Sequence, residues 1–291
     1  MTSATLTGQR GSFPLGDNAA SNELCPASAG SDEHSDLLMR PLPLHHERVP
    51  FAVAWTPKAG CTSLVKWFLF QTGDLEKALQ YDKWIHRYRV KVFQRRDGYK
   101  TELLELVANR RKPVLKLVRN PYDRAVSSFL HVLDAMAEYR LRRGRRLPLV
   151  AAAMFNDAGF GTAISFRRFL ETLKSIDLRR NGINPHINPQ YRRGEESILA
   201  RIIKLESFAA EIRSLESEFA LAQAPVELIT QSAHHRRKQD GQCMNLADKV
   251  FEPGAISHEE TPAYDAFYDE ATRGLVGDLY RDDFASYGYP P

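Results

Sequence analysis

The sequence predicts an α/β protein with a P-loop-like, three-layer fold, in which helices flank a central parallel sheet. Apolar runs suited to strands alternate with segments whose apolar residues recur at the helical period, and this alternation favours a parallel sheet. Two of the apolar runs, 49–54 and 114–118, are followed directly by a polar loop and the start of a helix. With 43% apolar and 26% charged residues among 291, the chain has enough apolar side chains for a substantial core.

The chain divides into a tail and one domain. Residues 1–45 are rich in Ser, Ala, Gly, Asn and Asp and lack an apolar period, so we expect a disordered tail there. The remaining residues, 46–291, change character at Val49 and show no internal repeat. We expect them to form a single domain.

The elements of this domain follow in order. Strands are predicted at 49–55, 113–118, 198–205 and 226–229. Five helices are predicted from apolar faces made by Leu64, Trp67 and Phe68; Val126, Phe129, Leu130 and Leu133; Phe166, Phe169, Leu170 and Leu173; Phe208, Ile212, Leu215 and Phe219; and Tyr264, Phe267, Leu275, Val276, Leu279, Tyr280 and Phe284. The basic, aromatic segment 81–111 is expected to be helical in parts, and loops are expected at 181–190 and 231–246.

Bulk composition excludes several classes of protein. The net charge of +4 permits an anionic ligand but does not indicate nucleic-acid binding. The cysteines Cys25, Cys61 and Cys243 form no CxxC pair, which argues against a zinc site or a disulfide framework and fits a reducing compartment. No run of about 18 apolar residues is present, and the N-terminus lacks the pattern of a signal peptide. We therefore expect a cytoplasmic protein without a metal.

The first chemical motif is the loop after the first strand, Trp55-Thr56-Pro57-Lys58-Ala59-Gly60-Cys61-Thr62-Ser63. A lysine near a phosphate oxygen, a glycine for close backbone approach and hydroxyls at a helix start together make an anion site. The loop differs from the GxxxxGK[ST] loop of ATPases, because it has one glycine and its lysine comes first. The alternative is an ordinary strand-to-helix turn with Thr62 or Ser63 as N-cap. The thiol of Cys61 is either unusually acidic there or a small packing residue.

The second motif, Arg119-Asn120-Pro121-Tyr122-Asp123-Arg124-Ala125-Val126-Ser127, repeats this layout after the second strand. Arg119 lies at the carboxyl end of the strand, where ligands of open α/β sheets bind, and Ser127 lies two turns into the helix. Together they suit one phosphate. The alternative is an arginine that ends a strand and an incidental serine. Asp123 and Arg124 are expected to be structural, as a first-turn carboxylate and an ion-pair partner.

These motifs resemble a known family. PKAGCTS at 57–63 and RNPYDRAVS at 119–127 are similar to the two cofactor motifs of sulfotransferases that use 3′-phosphoadenosine 5′-phosphosulfate (PAPS), and most of all to the Golgi-type carbohydrate sulfotransferases of sulfotransferase family 2. The segments 186–190 (an HxxPQ element), 202–208 and 279–289 agree with the same family. The resemblance covers about residues 49–289, and Asn120 departs from it where an Asp is common.

The resemblance implies an activity and a set of site residues. The sulfuryl group of PAPS would move by in-line displacement to a hydroxyl of a carbohydrate or glycolipid, in a soluble, bacterial-type enzyme without nucleic acid or a transmembrane segment and with at most peripheral membrane contact. Lys58 would lie near the leaving oxygen, and Arg119 and Ser127 would hold the 3′-phosphate. The 5′-phosphosulfate would be held by Pro57, Lys58, Ala59, Gly60, Cys61, Thr62 and Ser63.

The general base is expected to be a histidine. His186 comes first because it lies in a proline-bracketed loop and matches the family element. His131, one helical turn after Ser127, is a second candidate, and His86 is a third.

Two further features could contribute to acceptor binding. The run Arg140–Arg146 could bind an acidic group, although an exposed charged helix end is the commoner explanation. His234-His235-Arg236-Arg237-Lys238 could close over the nucleotide or be a solvated loop. Four aromatic residues could stack on sugar rings or belong to the core, namely Trp84, Tyr88, Phe93 and Tyr99.

Two other functions remain as alternatives. A nucleotide-dependent phosphotransferase would need a GK[ST] loop and a magnesium-binding acid, and the sequence has no such loop. A non-catalytic binder of anionic glycans would use Arg140–Arg146 and leave the paired motifs unexplained.

Overall fold

The computed structural model describes residues 41–141, 163–179, 184–230, 238–239, 244–257 and 261–291. The predicted tail as far as residue 40 lies outside these residues. So do most of the basic run 140–146 and most of the predicted loop 231–246.

A parallel sheet forms the centre of the described structure, in the order β1 (Ala52–Trp55), β2 (Val114–Val118), β3 (Leu199–Lys204). Each strand falls inside its predicted range. A separate parallel pair joins β4 (Lys238–Gln239) to β5 (Thr261–Pro262).

Helices lie between and after the strands. They are α1 (Cys61–Thr72), α2 (Leu75–Tyr81), α3 (Ile85–Lys91), α4 (Tyr99–Ala108), α5 (Pro121–Leu141), α6 (Phe166–Lys174), α7 (Phe208–Glu218), α8 (Val226–Thr230), α9 (Glu270–Leu279) and α10 (Arg281–Tyr287). Short 3₁₀ turns occupy Phe93–Arg95, Glu195–Ser197, Leu205–Ser207 and Tyr264–Phe267.

Apolar clusters cover both faces of the sheet. Alternate strand residues point to opposite faces. Trp55, Leu115 and Leu117 therefore pack with α1 and α7 on one face, whereas Ala54 and Val114 pack with α4 on the other. A third cluster joins α5, α6, α9 and α10 beyond the end of β2. The predicted α/β architecture, with helices around a central parallel sheet, is confirmed.

The described chain is already packed ahead of the predicted domain start. Leu44 is fully buried and exchanges both backbone hydrogen bonds with Val53, at 2.8 Å each. His45 is also buried, and its backbone N–H donates to the Tyr99 hydroxyl. The folded chain thus includes residues just before position 46.

The strand predicted at 226–229 is wrong, because these residues form helix α8. The N–H groups of Leu228 and Ile229 both donate to the carbonyl of Pro225, which starts a helical turn. Val226 and Ile229 are buried while Leu228 is 64% exposed. Burial at positions i and i+3 suits a helix, and packing of α8 against α1 overrides the β-propensity of the short apolar run.

The single C-terminal helix predicted from Tyr264 to Phe284 is also wrong in extent. The segment consists of a 3₁₀ turn, α9 and α10. Asp269 caps α9 through a capping box with Thr272, in which each side chain bonds the backbone N–H of the other residue. That cap starts a new helix where the apolar period alone suggested continuity.

Within the described ranges, no helix combines the length and apolar character that crossing a membrane requires.

Candidate functional site

The two predicted motifs lie side by side at one edge of the sheet. Strands β1 and β2 are parallel neighbours, with Trp55 opposite Leu117. Their carboxyl ends therefore open into two adjacent loops, 56–60 and 119–120. Each loop leads directly into a helix, α1 or α5. The strand–loop–helix layout predicted for both motifs is present.

The first loop makes a tight turn close to Leu205, the residue that directly follows β3. Gly60 has φ 81° and precedes α1, and a Cβ atom there would lie 2.4 Å from Cδ1 of Leu205. Lys58 also has a positive φ of 70°, a conformation that is uncommon for residues other than glycine. The N-cap of α1 is Gly60, without a side-chain cap, so the alternative with Thr62 or Ser63 as N-cap is wrong. With no side-chain cap, the start of α1 is a position at which backbone N–H groups can bind an anion.

Two arginines of the second motif support the first loop. Nη1 of Arg119 donates to the carbonyl of Lys58 at 3.2 Å, and Nε of Arg124 donates to the carbonyl of Pro57 at 3.1 Å. In a planar trans peptide the C=O and N–H point in opposite directions. Holding the carbonyl of Pro57 toward an arginine therefore turns the N–H of Lys58 away from it. The two motifs form one structural unit.

Arg124 differs from its predicted role. We expected it to pair with a carboxylate, but no ion pair of Arg124 occurs among the described residues. It is 1% exposed and lies 5.9 Å from the ring centre of Tyr280, and its Nη2 atom has no hydrogen-bond partner in the described structure. Burial lowers the pKa of Arg124, although Asp283 opposes that effect. The residue is a buried cation beneath the first loop.

The neighbouring residues of this motif match their predicted structural roles. Asp123 lies in the first turn of α5, and its carboxylate is 3.6 Å from Nη2 of Arg119. Asn120 accepts a 2.9 Å bond from the N–H of Tyr122, as an N-cap does, while its own N–H donates to Glu206. Asn120 thus provides the capping oxygen that an Asp would provide.

Gln190 connects both loops, a role that the sequence did not reveal. It is fully buried. Its Oε1 accepts from the N–H of Arg119 at 2.9 Å and from Oγ1 of Thr56 at 3.4 Å, and its Nε2 donates to the carbonyl of Arg119 at 2.8 Å. The HxxPQ element, predicted only by family resemblance, therefore fixes the backbone at the start of the second motif.

A buried polar network holds Gln190 in turn. Nζ of Lys116 donates to the carbonyl of Gln190 at 2.6 Å, to the hydroxyl of Tyr287 at 2.8 Å and to Glu195. Asp283, also fully buried, accepts the N–H of Gln190 at 2.9 Å. Burial lowers the pKa of Lys116 to about 8, against the opposing effect of Glu195. The lysine inside the apolar run Val114–Val118 was the available sequence signal, since a lysine in a central strand needs a buried partner.

Ser127 and His131 continue the line of polar residues along α5. Residues four apart on a helix share a face, so Asp123, Ser127 and His131 point in similar directions. Ser127 is 8% exposed, and the carboxylate of Asp123 pairs with Arg119. Helix geometry therefore places Ser127 on the face of α5 that also carries Asp123, which pairs with Arg119, and His131.

His186 is part of this site and contacts His131. The two ring centres lie 4.0 Å apart, with an angle of 33° between the planes. Burial, with added effects of the cations Lys58 and Arg124, lowers the pKa of His186 to about 3. The imidazole is accordingly neutral at physiological pH and has a lone pair for a proton. The two leading candidates for the general base are neighbours.

His86 belongs to α3 and lies away from His131 and His186, against the start of α1. Its Nε2 atom is 3.4 Å from both Sγ of Cys61 and Oγ1 of Thr62. Burial raises the pKa of the Cys61 thiol, so the acidic-thiol interpretation is wrong. Cys61 instead packs against the apolar cluster on the α1 face of the sheet.

The aromatic residues of segment 81–111 separate into two groups. Tyr88, Phe93 and Tyr99 are buried in the core, so the prediction that they could stack on sugars is wrong for these three. Trp84 is 55% exposed, and its ring centre lies 5.7 Å from that of His86. Its backbone N–H donates to Asp82 at 2.8 Å, which fixes the turn that presents the indole.

Comparison with known proteins agrees with this geometry. A model of the sulfotransferase family matches residues 47–290, which include both loops, the HxxPQ element and the C-terminal helices. No curated protein and no solved structure matches the chain. The resemblance to sulfotransferases predicted from the motifs is confirmed. The chain belongs to the sulfotransferase family, whose general activity is sulfuryl transfer.

Proposed function

We propose that the protein transfers a sulfuryl group from PAPS to a hydroxyl of a carbohydrate or glycolipid. The observation that carries the proposal is the contact between the two cationic loops: Arg119 of the second loop donates a hydrogen bond to the carbonyl of Lys58 in the first. PAPS carries anionic groups at its 5′ and 3′ positions, and two adjacent but separate anion sites suit such a molecule.

The donor set fits PAPS. The uncapped N-terminus of α1, with Thr62 in its first turn, would hold the 5′-phosphosulfate together with Lys58. Arg119, whose side chain is 15% exposed, and Ser127 would hold the 3′-phosphate. Bound there, PAPS supplies an activated sulfuryl group attached to a phosphate that can leave.

Lys58 would stabilise charge on the leaving oxygen. A preorganised donor of this kind contributes about 10²–10³-fold to kcat in other enzymes. The two arginine-to-carbonyl bonds support this role, because they hold the backbone on both sides of Lys58 before any ligand arrives.

His186 would take the proton of the acceptor hydroxyl. General-base assistance is worth about 10²–10⁴-fold. The pKa of His186 is low because of burial, and the cations Lys58 and Arg124 lower it further. A bound anion would offset that positive field and raise the pKa toward the working pH.

The exposed indole of Trp84 supports a carbohydrate acceptor. A tryptophan held on a fixed turn can stack on the apolar face of a sugar ring. Nearby Arg87 is 61% exposed and is held by Asp82 at 2.9 Å, so it could meet an acidic group on that sugar.

We expect Trp84→Ala to raise the KM for an accepted glycan while the affinity for the nucleotide stays unchanged. Equal KM values for the variant and the wild type would argue against acceptor binding at Trp84.

The deciding experiment is thermal stabilisation by 3′,5′-adenosine bisphosphate, compared with AMP and with ATP–Mg²⁺. A ligand at 100 times its Kd stabilises a protein by about 2.7 kcal/mol, which shifts the melting temperature measurably. We expect a shift with the bisphosphate that Lys58→Ala and Arg119→Ala lose. Arg111→Ala, a surface arginine 66% exposed beside Glu105, is the matched control and should retain the shift.

Other outcomes would redirect the assignment. A shift with ATP–Mg²⁺ alone would favour a phosphotransferase. No shift with any nucleotide would leave the motifs as structural turns and favour a binder of anionic glycans. With the donor and an accepted glycan, Lys58→Ala and His186→Ala should each nearly abolish turnover, and the His186 variant should still bind the bisphosphate.

A further inference from the structure

We propose that Asn184 is a positioning residue that fixes the tautomer of His186 and leaves Nε2 of the imidazole free to accept a proton. The proposal rests on the proposed function of His186 as general base. Asn184 lies two residues before His186 in the loop that enters the HxxPQ element.

The hydrogen bonds of Asn184 determine the proton position. Its Oδ1 atom accepts the backbone N–H of His186 at 3.1 Å and lies 2.7 Å from Nδ1 of the same residue. A backbone N–H can only donate, so the atom facing it must be the amide oxygen, which can only accept. Nδ1 must therefore carry a hydrogen. In a neutral imidazole the other nitrogen, Nε2, then has the lone pair.

The surrounding loop holds this arrangement in place. Oγ of Ser128 donates to the carbonyl of His186 at 2.6 Å, and the hydroxyl of Tyr280 donates to the carbonyl of Ile187 at 2.9 Å. With its side-chain amide turned to donate, Asn188 reaches the carbonyl of Asn184 at 3.2 Å. The loop backbone is thus fastened to α5, to the α9–α10 junction and to itself.

Burial keeps the His186 ring neutral, and its charged and titratable neighbours surround it. They are Lys58 from the first loop, and Arg124 and His131 from α5. Two cations oppose protonation, and the His131 ring covers one face. The amide oxygen of Asn184 lies 2.7 Å from Nδ1, and it therefore decides which nitrogen has the hydrogen.

The opposite tautomer would disable the base. With the hydrogen on Nε2, the nitrogen facing the acceptor could only donate a hydrogen bond. In the Ser-His-Asp triad of serine proteases, loss of the group that holds the histidine tautomer lowers kcat about 10⁴-fold. A neutral amide holds the tautomer less strongly than a carboxylate, so we expect Asn184→Ala to lower kcat about 10–10²-fold, with the KM for PAPS unchanged.

The test is nitrogen NMR of histidine-labelled protein with bound 3′,5′-adenosine bisphosphate, with His186→Gln used to assign the resonance. The wild type should show His186 with the hydrogen on Nδ1, and Asn184→Ala should show a mixed or reversed tautomer. Arg111→Ala, a change at an exposed arginine away from this loop, should retain the wild-type tautomer. Asn184→Asp should raise the pKa of His186 and move the acidic limb of the kcat–pH profile to higher pH, because a carboxylate favours the imidazolium ion.

Two results would overturn the proposal. One is a wild-type His186 with its hydrogen on Nε2. The other is an Asn184→Ala variant that melts like the wild type and keeps both its tautomer and its pH profile. Failure of the proposed function is distinct, because the bisphosphate would then fail to bind while the tautomer of the unliganded protein would still depend on Asn184.

Discussion

Replacement of Gln190 by methionine should destabilise the protein and weaken nucleotide binding together. Methionine has a similar length and suits a fully buried site, but it cannot replace the bonds to the N–H and carbonyl of Arg119. A buried backbone group left without a partner costs about 1–3 kcal/mol, and two are affected. Because both bonds are partly buried, water can compensate some of the loss. We expect a loss of about 2–4 kcal/mol in the free energy of unfolding.

Urea denaturation measures this loss, with the m-value as a check that the extent of unfolding is unchanged. Thr56→Val is the matched control, since it removes only the 3.4 Å bond to Oε1 of Gln190 and should cost less than about 1 kcal/mol. The Kd for 3′,5′-adenosine bisphosphate, measured on the same preparations, should rise in Gln190→Met. A Gln190→Met variant as stable as Thr56→Val would refute the idea that Gln190 anchors the second motif.

Two further perturbations test other parts of the site. Gly60→Ala should lower the free energy of unfolding by about 1–3 kcal/mol in urea denaturation, because Gly60 has a left-handed φ of 81° and an added Cβ would meet Leu205. Adding Leu205→Val to Gly60→Ala should relieve only the contact and should leave the backbone strain. Complete recovery of stability in the double variant would contradict the strain argument. The folded-state pKa of His186, about 3, lies below the ordinary histidine value of 6.5, so this residue contributes stability that is present above pH 6.5 and is lost as the pH falls toward 3. Between pH 7.5 and pH 5, the free energy of unfolding should fall by about 2 kcal/mol more in the wild type than in His186→Gln. If both proteins lost the same stability over this pH range, the result would argue against a buried neutral imidazole.

The parts of the fold that follow from sequence are those set by local pattern. The three strands, their parallel sheet and the loop-to-helix transitions after Trp55 and Val118 depend on short apolar runs and on the residues next to them. Gly60 could be placed at a turn because few other residues adopt its conformation.

Segment 226–229 shows where local pattern fails. Four residues provide too little periodicity to separate helix from strand, and contact with α1 decides the outcome. The break between α9 and α10 at Tyr280 is likewise a feature that the apolar period does not record.

The supporting residues of the site depend on pairs that are distant in sequence. Arg124 meets Pro57 across 67 residues, Gln190 meets Arg119 across 71, and Lys116 meets Glu195 across 79. No spacing rule in one sequence connects such residues. The residues expected to touch ligand could be named from motifs, whereas those that hold them in place emerge only from the folded chain.

The bond from Arg119 to the carbonyl of Lys58 has a thermodynamic consequence. The guanidinium of Arg119 contacts the backbone of the first loop and, in the proposed function, holds the 3′-phosphate, so occupancy of either anion position would change the environment of the other. Two separate fragments, one bound at each position, should then show a coupling free energy that is reciprocal. AMP should change the Kd of a 3′-phosphorylated nucleoside, and the nucleoside should change the Kd of AMP by the same factor.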